Sequence, residues 1–487
     1  MRASGILLPI FSLPSPYGIG SLGKSAFEFV DFLHEAGQKF WQILPLGPTG
    51  YADSPYQSFS SFASNGYFLD LDLLKEEGLL LSSEYENIQW SDKENKVDYG
   101  ILYNKRYMVL KKAMARFDFE KKDFKDFSYN NNYWLDDYGL FMSLKDHFEG
   151  EPWHKWPEDI RNRSQKALEE YGTRFSQDIL LHKFVQFMFF KQWENLKTYA
   201  NKKNISIIGD IPIYTSLDSS DVWSRYHLFQ TDKNRNISAQ AGVPPDAFST
   251  QGQLWGNPLY DWEEMEKEDF YWWRQRINIA SQLYDYVRID HFIGIERYFS
   301  VPADATTAKD GIYKKGPGMK LIKAIDQAKG NMKIIAEDLG VLTKEVVDLL
   351  EASTYPGMKV LQFAFSQDPS NIHLPTHHKI NSIAYTGTHD NDTTRSWLKD
   401  MTKADKKFLK TYLNKSFVRV KDIIFETMKS VSFISIVPMQ DWLNQDKKSR
   451  INYPSVTHGN WTYRISNRDL KKKLADKILD FTKITGR

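Results

Sequence analysis

The sequence predicts an α/β protein, a (β/α)8 TIM barrel with a helical insertion subdomain and long loops over its active-site mouth. Short apolar runs recur with helical patterns between them, two connections are far too long for simple crossovers, and several runs end in a carboxylate. Strands alternating with helices in this way build a parallel sheet closed by its helices. The runs, in order, are "KFWQILPLGP" (39–48), a weaker "GYFLDLDLL" (66–74), "ISIIGDIPIYT" (205–215), "YDYVRIDHF" (284–292), "KIIAEDLG" (333–340), "MKVLQFAF" (358–365), "SIAYTGTHD" (382–390) and "VSFISIVPMQDWL" (431–443). Before the first lies an amphipathic helix, "SAFEFVDFLHEAG", which Gly37 is suited to cap. A doubly wound sheet is the structural competitor, but no Gly-x-Gly-x-x-Gly follows any of these runs. Residues 75–200, rich in Lys, Glu and aromatics at helical spacing, read as the insertion. Residues 216–283 contain "AGVPPDAFSTQGQLWGNPLYDW", whose prolines and glycines predict a large, irregular but ordered loop above a single barrel spanning 1–487.

Composition narrows the function. Lys+Arg 64 against Asp+Glu 62 leaves a formal charge of +2, so no global field points to nucleic acid or to an anionic membrane, and a neutral partner is expected. With no cysteine, disulfides, thiolate metal sites and cysteine nucleophiles drop out, which fits a reducing compartment. The apolar run near the N-terminus is short and contains Pro9, unlike a signal peptide or a membrane span, so a cytoplasmic location is expected. Aromatic residues reach 15%, and some sit in loop-like segments where rings can stack on the uncharged faces of sugars.

Four runs carry a carboxylate at the strand's C-terminal edge: Asp210, Asp290, Glu337 and Asp390, on the third, fourth, fifth and seventh of the runs. In a barrel all such ends meet at one mouth. On the fourth run Arg288 and Asp290 share a face, and an ion pair on the inner face of an apolar strand is expensive to bury unless the charges have a task. Gathered carboxylates either hold a divalent cation or cleave a glycosidic bond. "KKGPGMK" (314–320) has the look of a phosphate loop without its Gly-Lys-Ser/Thr ending, and His377 and His378 have no partner run. Sugar chemistry is therefore favoured, with no metal and no cofactor.

The motifs "SGILLPIFSLPSPYGIGSLG", "LPLGPTGYADSPYQSFSSFASN", "GVPPDAFSTQGQLWGNPLYDW", "VRIDHFIG", "IIAEDLG", "YTGTHDN" and "RINYPS...GNWTYR" together resemble the amylomaltase family, the 4-α-glucanotransferases or disproportionating enzymes of the α-amylase-like barrels. The resemblance runs nearly end to end. Ser455 departs from it, standing where the family's glycine is expected.

That resemblance implies a nucleophile at Asp290 with Arg288 as its counter-charge, an acid/base at Glu337 and a transition-state stabiliser at Asp390. It implies that His389 and Asp210 bind sugar hydroxyls, that the loop at roughly 240–262 is an active-site lid from which Asp246, Phe248, Gln253 and Trp255 face the glucan, and that Ser54, Tyr56 and Asn460 complete the binding surface. The expected partners are α-1,4-glucan donors and acceptors: maltose, maltotriose, longer maltodextrins and glucose. An α-glucan hydrolase on the same barrel and a non-catalytic glucan-binding protein are the alternatives; the second needs the rings but not the acids.

Overall fold

The computed structural model describes residues 2–245, 250–454 and 456–487. Eight parallel strands run β1 Ala3–Leu7, β2 Phe40–Gln42, β3 Ser206–Ile211, β4 Tyr286–Ile289, β5 Lys333–Ala336, β6 Gly357–Val360, β7 Ser382–Tyr385 and β8 Ile434–Pro438. They pair in the order β6-β7-β8-β1-β2-β3-β4-β5. The Ala336 N–H donates to Pro356 O at 3.0 Å and brings the two ends of the sheet together, so the sheet is nearly closed into a barrel. Helices flank it, and Gly37 follows the helix Lys24–Glu35 at φ +68°, the left-handed position that favours glycine at a helix end.

Two expectations are corrected at the N-terminal end. Residues 66–74 form no strand: the Asp70 carboxylate accepts the N–H groups of Asp72 and Leu73, both at 3.1 Å, and starts the helix Leu71–Glu76. A cap two residues into the alternating pattern overrides it. The missing strand is β1, a five-residue segment whose apolar side chains are covered because β8 and β2 pair with it on either side. One error offsets the other, so Asp210, Asp290, Glu337 and Asp390 still belong to the third, fourth, fifth and seventh strands.

Between β2 and β3 the chain is mostly helical, with Tyr99–Met114, Asn132–His147 and Ser176–Lys202 the longest elements. The expected irregular lid instead contributes two strands, Ala239–Val243 and Gln253–Pro258, to a four-stranded antiparallel sheet with Arg297–Pro302 and Ile312–Lys315. Pro258 is tolerated because its strand lies at the sheet edge. Residues 314–320 form the end of a strand and the turn into the helix Met319–Ala328. Among the described residues no helix is long and apolar enough to cross a membrane.

The barrel wall has little slack at Gly209, beside Asp210. A Cβ there would sit 2.4 Å from ring atoms of buried Tyr284. Gly209→Ala is therefore expected to lower stability by about 1–3 kcal/mol through overpacking, read as an earlier denaturation midpoint; an unchanged midpoint would show that the Tyr284 ring yields freely.

Candidate active site

Parallel register builds the centre of the site. Ile289 of β4 lies level with Ala336 of β5, so the residues that follow them, Asp290 and Glu337, continue the same rung. Backbone bonds hold both ends: Asp290 N–H donates to Ile211 O at 3.0 Å and Glu337 N–H to Ile289 O at 3.1 Å. Two carboxylates thus stand side by side on adjacent strands at the barrel mouth.

Their surroundings differ. Asp290 is partly open to the cleft, with its side chain 31% exposed, and its Oδ1 lies 2.9 Å from Arg288 Nη2. Glu337 is buried; its Oε2 accepts the His291 N–H and its Oε1 the Leu339 N–H, each at 2.7 Å. Burial, helped by the negative charge of Asp290, pushes the Glu337 carboxyl up to about 8, against the pull of Arg288 and the two N–H donors. His291 reaches Glu337 from a left-handed backbone, φ +51°, uncommon for a residue with a side chain.

Arg288 is 3% exposed and bonded through its Nε and Nη2. Its Nε and Nη2 donate to Asp210 Oδ2 at 3.0 and 2.7 Å, and Nη2 also reaches Tyr56 OH at 3.2 Å. Although burial opposes its charge, Asp210 and then Asp290 raise the Arg288 pKa, so the guanidinium stays ionised. The Tyr56 hydroxyl donates to the same Asp210 oxygen at 2.7 Å. Asp210 is 1% exposed, its Oδ2 taken up by Arg288 and Tyr56. In the β3–β4 register Asp210 lies level with Arg288, two residues below Asp290, and its carboxylate anchors that guanidinium.

From β7 come His389 and Asp390. His389 Nε2 lies 3.2 Å from Asp390 Oδ2, and Asn452 Nδ2 donates to Asp390 Oδ1 at 2.6 Å. Although desolvation raises it, these two neighbours, led by His389, hold the Asp390 carboxyl well below the usual range. The His389 ring stacks on Tyr56, centroids 5.2 Å apart and planes 15° from parallel, and Trp461 lies 5.7 Å from Tyr56 and 6.0 Å from His389.

These groups line a cleft of about 780 Å³ together with Ser54, Gln253, Trp255 and Asn460, in the upper part of the range of about 300–1,000 Å³ usual for small-molecule sites. Ser54 Oγ accepts the Tyr56 N–H at 3.3 Å. Gln253 Oε1 accepts from the Trp255 indole at 3.2 Å, while the Trp255 ring stands edge-on to His291 with centroids 4.9 Å apart. Asn460 uses its amide to hold the backbone of Tyr453 and Val456. Asp246, Phe248 and Ser455 lie outside the described residues. Among the described residues no group of three or more His, Asp or Glu could hold a metal ion.

Sequence reasoning did not single out His291, Asn452 or Trp461. The first adjoins Asp290 in "VRIDHFIG", and the other two stand in "RINYPS...GNWTYR", so membership in those motifs was the available signal. Trp461 also has φ +61°, which no sequence pattern announces.

The family model described as 4-alpha-glucanotransferase matches residues 8–470. A 4-alpha-glucanotransferase of Streptococcus pneumoniae is 46% identical over 493 residues, covering 100% of this chain and 97% of that protein. One of Clostridium butyricum is 47% identical over 483 residues, covering 98% and 99%. Among solved structures, the amylomaltase from Streptococcus agalactiae in complex with acarbose superposes with a TM-score of 0.97 at 40% identity, each chain covered completely. With a family match over nearly its whole length, full-length relatives and a barrel mouth lined with carboxylates and rings, the chain belongs to the 4-alpha-glucanotransferase family.

Proposed function

We propose that this 4-α-glucanotransferase moves α-1,4-glucan segments from a donor malto-oligosaccharide to the 4-hydroxyl of a glucose or glucan acceptor by a retaining double displacement. The observation that carries the mechanism is the Asp290–Glu337 rung. Adjacent strands are about 4.8 Å apart, which suits the separation of about 5–5.5 Å of a nucleophile and an acid/base better than the about 6.5–9.5 Å that leaves room for an inverting water. Asp290, beside Arg288, attacks the anomeric carbon as its bond to the glycosidic oxygen breaks. Glu337, kept protonated by burial, gives its proton to that oxygen and later takes one from the incoming hydroxyl. Asp390 faces the positive charge that develops on the ring, with His389 beside it.

Maltose, maltotriose and longer maltodextrins are the donors and acceptors proposed, with glucose as the smallest acceptor. The rings of Tyr56 and Trp255 supply stacking faces, Ser54 and Gln253 supply polar contacts, and Asn460 shapes its own loop. Asp246 and Phe248 are assigned to a lid spanning roughly 240–262, on one catalytic barrel over 1–487 with a helical insertion at roughly 75–200. Close relatives that are transferases favour this reading over the hydrolase and the non-catalytic binder. Incubation with maltotriose tests it: a chromatogram should show a ladder of longer chains plus glucose, whereas short sugars alone would mean hydrolysis and no change would mean binding only.

Asp290→Asn should fold and lose transfer by more than about a hundredfold, because an amide cannot serve as the nucleophile; activity above about a hundredth of wild type would remove Asp290 from that role. Glu337→Gln should lose far less in the fluoride-release burst from α-glucosyl fluoride, which needs no proton, than on maltotriose. Equal losses on the two donors would contradict the acid/base role. The pH profile gives a third check. The working acid form of Glu337 is depleted as pH rises through about 8, so kcat/KM on maltotriose should fall on that limb, and a limb centred near the ordinary glutamate range would refute the burial argument.

A further inference from the structure

We propose that Asp441 is a positioning residue for His389 and Asp390, clamping both stems of the loop that carries them. The proposal rests on the reading of Asp390 and His389 given above. After β7 ends at Tyr385, the chain passes through Thr386 to Thr393 and enters the helix Thr394–Asp400. Asp441, on the short helix Met439–Trp442 that follows β8, reaches across to both ends of that excursion. Its Oδ2 accepts the Thr386 and Thr394 hydroxyls, each at 2.6 Å, and its Oδ1 accepts the Thr394 N–H at 2.8 Å. None of these bonds goes to His389 or Asp390.

The loop is stiff between its stems. Asn391 Oδ1 accepts the Thr388 N–H and hydroxyl at 2.8 and 3.0 Å, and the Asp390 N–H donates to Thr388 Oγ1 at 3.2 Å. A shift at either stem therefore moves His389 and Asp390 as a unit, away from Tyr56 and Asn452. A misplacement of about 1 Å can cost roughly 100-fold in rate.

Aspartate is the side chain this clamp requires. Three donors converge on it, and a carboxylate can accept from all three; burial raises the Asp441 pKa while its bonds from Thr386 and Thr394 lower it, and the two 2.6 Å hydroxyl contacts have the length of charge-assisted bonds. An asparagine would turn an NH2 group toward at least one of those donors.

The test compares Asp441→Asn, Thr386→Val, Thr394→Val and Thr394→Ser in maltotriose disproportionation, with thermal midpoints measured alongside and Asp390→Asn as a control. Asp441→Asn is expected to lower kcat about 30- to 100-fold with KM within about threefold of wild type, Thr394→Val to lower kcat by a smaller factor, and Thr394→Ser, which keeps the hydroxyl, to retain it. Folded Asp441→Asn with kcat within threefold of wild type overturns the clamp, as does Thr394→Ser falling as far as Thr394→Val. Should Asp441→Asn not fold, the two valine variants carry the test, and unchanged kcat in both overturns it. An active Asp390→Asn would overturn the reading of Asp390 and the clamp with it, whereas an inactive Asp390→Asn beside fully active Asp441 and threonine variants overturns the clamp alone.

Discussion

The buried guanidinium of Arg288 is the interaction on which the site depends. It meets Asp210 from β3, Tyr56 from the connection after β2, and Asp290 at the end of its own strand. A charge in that position is tolerated only when it is paired and hydrogen-bonded, and removing one partner of such a pair typically costs about 3–5 kcal/mol. The contacts therefore fix three chain segments relative to one another. Tyr56 carries the order further by stacking on His389, so the ends of β3, β4 and β7 share one connected arrangement.

Around this hub, three carboxylates in one cleft are given different tasks by their surroundings. Asp290 faces a full positive charge, Glu337 is shut away from water beside a negative one, and Asp390 lies among His389 and Asn452. The double displacement proposed above needs that division, since identical environments would give three groups of one kind. The fold supplies it with backbone: the N–H groups of His291 and Leu339 hold Glu337 on a rung set by the β4–β5 register.

Much of this was legible in the sequence because charge at the end of an apolar strand is conspicuous. β3, β4 and β5 each announce a carboxylate at the end of a branched apolar run and β7 announces one five residues beyond its end, and parallel strands carry such endings to one mouth. What could not be read depends on contacts distant in sequence. β1, Ala-Ser-Gly-Ile-Leu, has only two large apolar residues to mark it and is a strand because β8 pairs with it more than four hundred residues later. The alternation at 66–74 suits a strand, yet the Asp70 cap decides for a helix. The depth of Asp210 follows from its pairing level with Arg288 and two residues below Asp290, a register that no single strand encodes. The prolines and glycines of the lid signalled irregularity, but edge pairing against Ala239–Val243 accommodates them.

The small antiparallel sheet has a further consequence for how such a site can change over generations. Its edge strand Gln253–Pro258 carries Trp255, and two strands away lies Arg297–Pro302, which the chain enters soon after leaving Asp290. Main-chain hydrogen bonds thus help set the span between the wall of the cleft and Asp290. Substitutions along the hairpin can alter the chemistry of that wall while its distance stays put. A changed cleft wall becomes reachable by single steps that leave Asp290 and Glu337 undisturbed, so that one part of the site can vary while the other is kept.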